Sequence, residues 1–125
     1  QGAFLRQAGH TQPIRVSQKT DRLTLVRSRT RKSDGVSRLM EHPRITTILK
    51  VGSATIKGCL VAEGAADMYY SFETTGEWDT CAIDLIVHEA GGVLTDLTGK
   101  QMLYNRDDHT NHGFVVLNNH QNFLL

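Results

Sequence analysis

The sequence predicts an α/β domain with αβα layering, in which helices cover both faces of a mixed β-sheet. Short apolar and β-branched runs alternate along the chain with segments whose apolar residues recur at helical spacing. Glycine and serine clusters separate these segments and supply the strand-to-helix turns. The chain has 125 residues, of which 39% are hydrophobic and 22% charged, and this size and composition suit a single globular domain.

Six segments predict strands, because apolar or β-branched residues alternate or dominate in each. In the first of them, Ile14 and Val16 alternate with Arg15. The predicted strands cover residues 12–17, 23–27, 45–51, 67–72, 93–97 and 114–117. Residues 74–76 are expected to form a loop, and residues 120–125 the start of a short final helix.

Three segments predict helices, each with a start or stop signal. The predicted helices cover residues 33–40, 53–62 and 79–90. Ser33 and Ser53 are natural N-caps for the first two, and Pro43 prevents the first from continuing. Asp79 stands where the third helix begins, and Gly91-Gly92 supplies the left-handed stop that a helix C-terminus prefers.

Charge divides the chain into a basic first half and an acidic second half. Residues 1–59 hold twelve Lys or Arg against three Asp or Glu, and residues 60–125 hold two against ten. This split indicates that one part faces an anion while the other carries metal-seeking carboxylates, or that two solvated faces partly neutralise each other. No apolar run approaches the ~20 residues of a membrane-spanning helix. Gln1-Gly2-Ala3 shows no basic-then-apolar signal pattern, so nothing in the given sequence indicates secretion. We expect a cytoplasmic location, with membrane association as the alternative.

Two strand-to-helix turns are the first places to look for a ligand site, since ligands of open α/β sheets collect at such turns. The first is Gly52-Ser53, which is followed by Lys57 one turn into the predicted helix. Backbone N–H groups at a helix start favour an anion, so Ser53 and Lys57 predict a phosphate site. The alternative for Lys57 is a solvated surface lysine, the commonest fate of this residue type.

The second turn, from Gly76 to Asp79, ends in a carboxylate. Asp79 could ligate a metal beside a phosphate, because Mg²⁺ prefers a few carboxylates together with water and substrate oxygens. From spacing alone, the simpler interpretation is a helix N-cap, a role that any Asp can fill.

A basic segment, residues 15–38, holds eight of the fourteen Lys and Arg. Arg27, Arg29 and Arg31 alternate, so an extended strand would place them on one face. There they could grip a second phosphate, since Arg suits bidentate phosphate contacts. A solvated edge strand protected by its charges is the alternative. Polymeric nucleic acid is a weaker alternative as the ligand of these arginines, because no aromatic residue is interleaved with them to stack on bases.

Two motifs together resemble the inositol monophosphatase superfamily, whose members are magnesium-dependent, lithium-sensitive phosphomonoesterases. Trp78-Asp79, followed by Glu89-Ala90-Gly91-Gly92-Val93, is similar to the second signature of that superfamily. The segment 51–57, with Gly52-Ser53 at its centre, is similar to the Gly-Ser block that precedes it. The resemblance implies a fold similar to the C-terminal half of the inositol monophosphatase and fructose-bisphosphatase-like fold.

Other residues resemble one branch of the superfamily, the 3′(2′),5′-bisphosphate nucleotidases. Lys57, Glu77 and the run Leu103-Tyr104-Asn105-Arg106 are similar to residues of that branch. Val26-Arg27-Ser28-Arg29 resembles its Ser-Arg-Ser-His segment, with the departure that Thr30-Arg31 stands where Ser-His is expected.

The resemblance also implies a site split between two domains. In the superfamily, carboxylates from both domains bind Mg²⁺, and by position Asp79 is the metal ligand that the C-terminal domain supplies. The Asp-Pro-x-Asp-Gly-Thr motif that supplies further ligands is absent from the sequence. We therefore expect residues 1–125 to be the C-terminal domain of a longer enzyme, with the N-terminal metal-binding domain belonging before Gln1.

By the same resemblance, the parent enzyme hydrolyses adenosine 3′,5′-bisphosphate to AMP and phosphate. Its substrate-binding residues in this chain would be Ser28, Arg29, Gly52, Ser53, Lys57 and Asp79. We expect the isolated chain to be inactive, because one carboxylate cannot assemble a two-metal site. Its expected partners are the nucleotide bisphosphate, the missing domain and, through the interface thus exposed, a second copy in a homodimer. The alternatives are an inositol or sugar monophosphatase and a non-catalytic binding domain of the same fold.

Overall fold

The computed structural model describes residues 2–30 and 33–125. The strands are β1 (Ala3–Gln7), β2 (His10–Ile14), β3 (Leu23–Ser28), β4 (Ile45–Val51), β5 (Met68–Gly76), β6 (Val93–Thr95) and β7 (Thr110–Leu117). The helices are α1 (Asp34–Met40), α2 (Ala54–Ala62) and α3 (Cys81–Glu89), with single 3₁₀ turns at Glu77–Asp79 and His120–Asn122. Over the described part of the chain, no helix is both long and apolar enough to cross a membrane.

The central element is a five-stranded sheet in the order β4-β3-β5-β7-β6. Strand β3 runs parallel to β4 and β5, whereas β7 runs antiparallel to β5 and β6, so the sheet is mixed. Val61 of α2 and Val87 of α3 lie in the core on one face, and Val36 and Leu39 of α1 lie in the core on the other. Helices therefore cover both faces, and the predicted αβα layering is confirmed.

The first strand prediction, residues 12–17, is wrong in extent. The chain instead forms a hairpin in which β1 pairs antiparallel with β2, and β2 ends at Ile14. Ala8 and Gly9 make the turn, with φ of 51° and 79°. Left-handed residues at both turn positions suit the twist of a two-residue hairpin, but an Ala at the first position gives no sequence signal for it.

Other element ends also differ from the predictions. Strand β6 ends at Thr95 rather than at residue 97, and β7 begins at Thr110 rather than at residue 114. Residues 74–76, expected as a loop, continue β5, because they pair with residues 110–112 at the start of β7. Helix α3 begins at Cys81 rather than Asp79, and the 3₁₀ turn Glu77–Asp79 precedes it. The C-terminus forms one 3₁₀ turn in place of a helix.

A buried polar network fills the edge of the sheet where β3, β4 and β5 begin. Asp67 is 1% exposed and accepts hydrogen bonds from the Ser17 hydroxyl and, at 2.7 Å, from the Thr24 N–H. Asn118 and Asn122 are buried beside it and donate to backbone carbonyls of the segment that leads into β3. We call this end of the sheet, where the parallel strands begin, the closed edge, since its polar groups are bonded to neighbouring protein groups.

Candidate functional site

A cleft of about 390 Å³ opens at the opposite edge, where β3 and β4 end and α2 begins. We call this the open edge. Five of the six residues predicted to bind substrate line the cleft, namely Ser28, Arg29, Gly52, Ser53 and Lys57. Asp79, the sixth, is not part of the lining, but it follows the end of β5, whose Thr75 is.

The Gly52-Ser53 turn delivers the start of α2 to the cleft. Ser53 caps the helix as predicted, because its hydroxyl accepts a hydrogen bond from the Ile56 N–H at 3.4 Å. Its φ is +67°, a backbone conformation that residues other than glycine seldom adopt and that clusters at ligand sites. Gly52, Ser53 and Ala54 line the cleft, so the start of this helix lies beside it, an arrangement that favours an anion.

Lys57 is the least exposed cation of the cleft. Its side chain is only 5% exposed, so the solvated-surface alternative is wrong. Nζ lies 5.0 Å from the centroid of the Tyr69 ring and donates to the Val51 carbonyl at 3.4 Å. A buried ammonium interacts more strongly with an anion than a solvated one does, because water screens it less.

Tyr69 connects the cleft electrostatically to Asp79. Burial is the main reason why the pKa of Tyr69 is raised to about 12, and repulsion from Glu73 and Asp79 adds to it against an opposing hydrogen bond with Ser71. The phenol therefore stays neutral at physiological pH. The carboxylate of Asp79 thus acts on a side chain that lines the cleft.

Asp79 ends the 3₁₀ turn that precedes α3. Its Oδ2 accepts a hydrogen bond from the Gly76 N–H at 2.8 Å, whereas Thr80 is the N-cap residue of α3. The interpretation of Asp79 as the N-cap of the helix is therefore wrong. Oδ1 takes part in none of the hydrogen bonds among the described residues.

Mg²⁺ suits the donor chemistry of Asp79 but needs more ligands than this site provides. Mg²⁺ is commonly bound by one or two carboxylates together with substrate phosphate and water. Asp79 supplies one carboxylate just beyond the lining of the cleft, and Glu73 supplies another within the lining. The described residues contain no cluster of three or more His, Cys, Asp or Glu that could hold a metal on its own. Asp79 therefore fits as one ligand of a site completed by other groups.

Glu77 is a site residue whose role the sequence did not reveal. It is 8% exposed, and its carboxylate accepts hydrogen bonds from the Asn105 N–H, the Arg106 N–H and, at 2.8 Å, Arg106 Nε. His109 Nδ1 lies 3.1 Å from Oε2. Burial alone would raise the pKa of Glu77, but the bonds from Arg106, His109 and Asn105 outweigh it and lower the pKa to about 2.

Of Arg27 and Arg29, which were predicted to share one face with Arg31, only Arg29 lines the cleft. Arg27 is 8% exposed, and its buried Nε has no hydrogen-bond partner in the described part of the chain. Because β3 lies between β4 and β5, the edge-strand alternative is wrong. Arg31 lies outside the described residues.

An αβα-layered domain in which a helix start and a buried lysine line one cleft is typical of proteins that bind phosphate groups. Within that class, the chain belongs to the inositol monophosphatase family, whose sequence pattern matches residues 1–124. The resemblance seen in Trp78-Asp79 and Gly91-Gly92 is thereby confirmed.

Two kinds of relative share this family. The 3′(2′),5′-bisphosphate nucleotidase CysQ of Buchnera aphidicola is 37% identical over 111 residues, which cover 86% of this chain and 41% of the relative. Inositol monophosphatase 1 of Bos taurus is 48% identical over 64 residues, which cover 51% of this chain and 22% of the relative. The chain therefore spans less than half the length of these relatives.

Solved structures agree with the fold. CysQ of Bacteroides thetaiotaomicron superposes with a TM-score of 0.74 at 30% identity, covering 86% of this chain and 41% of that one. The IMPase of Thermotoga maritima gives a TM-score of 0.71 at 25% identity, covering 90% of this chain and 41% of that one. The CysQ matches in sequence and structure support the bisphosphate nucleotidase branch.

Proposed function

We propose that this chain is the C-terminal domain of a Mg²⁺-dependent 3′(2′),5′-bisphosphate nucleotidase that converts adenosine 3′,5′-bisphosphate to AMP and phosphate. The observation that carries the proposal is the buried ammonium of Lys57 in a cleft that also receives the start of α2. Both groups favour a phosphate, and the cleft adds the exposed Arg29 for a second one.

Each residue of the open edge has a role in this proposal. Lys57 and the N–H groups that follow Ser53 bind the phosphate to be removed, Ser28 and Gly52 shape the cleft, and Arg29 binds the other phosphate. Asp79 holds Mg²⁺. When bound, Mg²⁺ would supply an activated water and neutralise charge on the departing oxygen.

The site is completed by the first domain expected before Gln1. The matched residues cover 41% of the CysQ relative, and the described residues hold no cluster of three or more His, Cys, Asp or Glu that could bind a metal unaided. Ile56, Trp78 and Leu85, on or next to α2 and α3, are exposed apolar side chains. We expect the first domain, or a second copy of the chain, to cover them. The isolated chain is then catalytically inactive.

The second candidate is an inositol monophosphatase. The identity of 48% with the bovine inositol monophosphatase over 64 residues favours it, since that exceeds the identity with the Buchnera nucleotidase, although over a shorter stretch. The two candidates share Asp79 and the Gly52-Ser53 turn, so they differ in substrate and not in metal chemistry.

The test compares this chain alone with the longer protein, meaning this chain together with its first domain. Phosphate release from adenosine 3′,5′-bisphosphate and from inositol phosphate is measured with and without Mg²⁺. We expect Mg²⁺-dependent release from the longer protein, fastest with the bisphosphate, and none from the chain alone. Asp79→Asn in the longer protein should lower the rate about 100-fold or more.

Each other outcome points elsewhere. Faster release from inositol phosphate would select the second candidate. No release from a folded longer protein would leave a non-catalytic binding domain of the same fold. Release by the isolated chain would overturn the two-domain account.

A further inference from the structure

The 3₁₀ turn Glu77–Asp79 is held on both sides by hydrogen bonds to polar groups that the proposed function does not use. On the preceding side lies Glu77, two residues away. Its two carboxylate oxygens accept hydrogen bonds from the loop between β6 and β7, through the Asn105 N–H and both the N–H and Nε of Arg106. The backbone of Glu77 also donates to the His109 carbonyl at 2.9 Å.

On the other side, Asn111 of β7 spans the whole turn. It is 1% exposed, and its Nδ2 donates to the Gly76 carbonyl at 2.9 Å and to the Thr80 hydroxyl at 3.1 Å. Its Oδ1 accepts from Arg106 Nη2 at 2.7 Å. Arg106 therefore joins the Glu77 carboxylate to the Asn111 amide, and the two anchors form one network.

This network holds a segment that would otherwise be weakly restrained. A single 3₁₀ turn has poor intrinsic stability, and Trp78 in its middle is 73% exposed and contributes little burial. The network fixes the backbone on both sides of Asp79 while Oδ2 of Asp79 is bonded to the Gly76 N–H. The orientation of Oδ1 is then determined before any cation arrives.

We propose that Glu77 is a positioning residue, which acts through Arg106 and Asn111 to hold the Asp79 carboxylate in the orientation that binds the metal; this rests on the proposed function. Groups that orient metal ligands without contacting the metal contribute about 10-fold to 100-fold to metal affinity or activity. Glu77→Gln keeps the shape but places an amide donor against the donors of Asn105 and Arg106. The change should make the turn more mobile without leaving a cavity where the Glu77 side chain packs.

The chain offers a matched control in the same loop. The Tyr104 hydroxyl donates to Asp84 Oδ2 at 2.7 Å and also hydrogen-bonds the Thr80 side chain, so it attaches the loop to α3 without using the Glu77 carboxylate. Tyr104→Phe removes the bond to Asp84 and the one to Thr80, but leaves the bonds of the Glu77 carboxylate to Asn105 and Arg106 in place. A general loosening of the loop would therefore affect both variants, whereas positioning of Asp79 would affect only Glu77→Gln.

Three measurements separate positioning from a merely structural role. On the 125-residue chain, time-resolved anisotropy of Trp78, its one tryptophan, reports the mobility of the turn. On the longer protein, electron paramagnetic resonance of free Mn²⁺ gives the metal affinity without requiring turnover. Phosphate release against Mg²⁺ concentration then gives the half-saturating Mg²⁺ and, at saturating Mg²⁺, the KM.

We expect Glu77→Gln to lower the Trp78 anisotropy and to raise both the Mn²⁺ dissociation constant and the half-saturating Mg²⁺ about tenfold or more. The KM for the bisphosphate at saturating Mg²⁺ should stay within about twofold, because Lys57 and the start of α2 are untouched. Tyr104→Phe should leave both the Mn²⁺ dissociation constant and the half-saturating Mg²⁺ within about twofold of wild type. Arg106→Lys keeps the charge but loses the Nε bond, so it should raise the Mn²⁺ dissociation constant and the half-saturating Mg²⁺ by less than Glu77→Gln does. This variant replaces Glu77→Gln as the test if Glu77→Gln does not fold.

Metal affinity within twofold of wild type in a folded Glu77→Gln or Arg106→Lys protein would overturn the inference. Equal losses in Tyr104→Phe would do the same. A wild-type protein that binds no Mn²⁺ would overturn both the role of Asp79 and its positioning. A wild-type protein that binds Mn²⁺ but releases no phosphate would overturn the proposed function alone, and the Mn²⁺ comparison of the variants would still decide the positioning.

Discussion

The two ends of the central sheet use polar residues in opposite ways: the closed edge lies where β3 and β4 begin, and the open edge lies where they end. At the closed edge, Asp67 is buried with its oxygens accepting from Ser17 and Thr24, and Asn118 donates into the segment that leads into β3. At the open edge, Lys57 is also buried but lines a cleft, and Ser53 has a positive φ. Closed networks give rigidity, whereas charge and strain beside a cavity are typical of a ligand site.

The difference teaches that burial of a polar group does not by itself mark function. At the closed edge, the hydrogen bonds of Asp67, Asn118 and Asn122 are made to neighbouring protein groups. What distinguishes the open edge is the cleft and the direction of its charges. Substitutions at the two edges should therefore affect different quantities, stability at one and binding at the other.

The largest effect on stability is expected for Asp67→Ala at the closed edge. The change leaves the buried Thr24 N–H without its acceptor, which should lower the free energy of unfolding by about 2–4 kcal/mol. Asp21→Ala, an exposed acid of the neighbouring segment, should change it by about 0.5 kcal/mol or less. Urea denaturation of both variants checks this, and equal losses would break the contrast.

A smaller effect is expected where α2 packs under the open edge. A Cβ on Gly58 would lie 2.3 Å from Ile83 Cγ2, so Gly58→Ala should cost about 1–3 kcal/mol through overpacking. Gly52, which lines the cleft, has no heavy atom within 4 Å of such a Cβ. Gly52→Ala should therefore leave thermal stability nearly unchanged, and a larger loss there than at Gly58 would contradict the packing.

The smallest effect concerns pH. The pKa of Glu77 is lowered from 4.5 to about 2, so its ionised form stabilises the folded chain. That contribution is fully present above the unfolded-state pKa of 4.5 and is lost as the pH falls from there toward 2. Unfolding measured across this range should show a steeper acid loss for wild type than for Glu77→Gln. Parallel curves would show that the network does not hold a charged carboxylate.

Much of the fold could be predicted from sequence because its signals are local. Ser33 and Ser53 cap the helices that they were expected to cap, and β-branched runs form β3 and β4. The hairpin was missed because Ala8, a residue without a turn preference, adopts a positive φ. Local patterns also end β5 too early, since its last residues are strand only through pairing with β7.

The site was less accessible to sequence reasoning because its decisive contacts are distant along the chain. Lys57 could be placed at a helix start, but its burial beneath Tyr69 depends on tertiary packing. Glu77 resembled a branch marker, but nothing in the sequence pairs it with Arg106 or Asn111 of another loop and strand. Residue types could therefore be proposed from the sequence, whereas their partners required the structure.

The most direct test of this account is calorimetric binding of adenosine 3′,5′-bisphosphate to the 125-residue chain, compared between Lys57→Met and Asp67→Ala, with the free energy of unfolding measured for both. We predict that Lys57→Met weakens binding about 10-fold to 100-fold, since a charged contact is lost, while stability changes by about 1.5 kcal/mol or less. Asp67→Ala should lose stability but bind normally per folded molecule. Unchanged binding in Lys57→Met, or equal loss of binding in both variants, would contradict the assignment of the open edge as the substrate site.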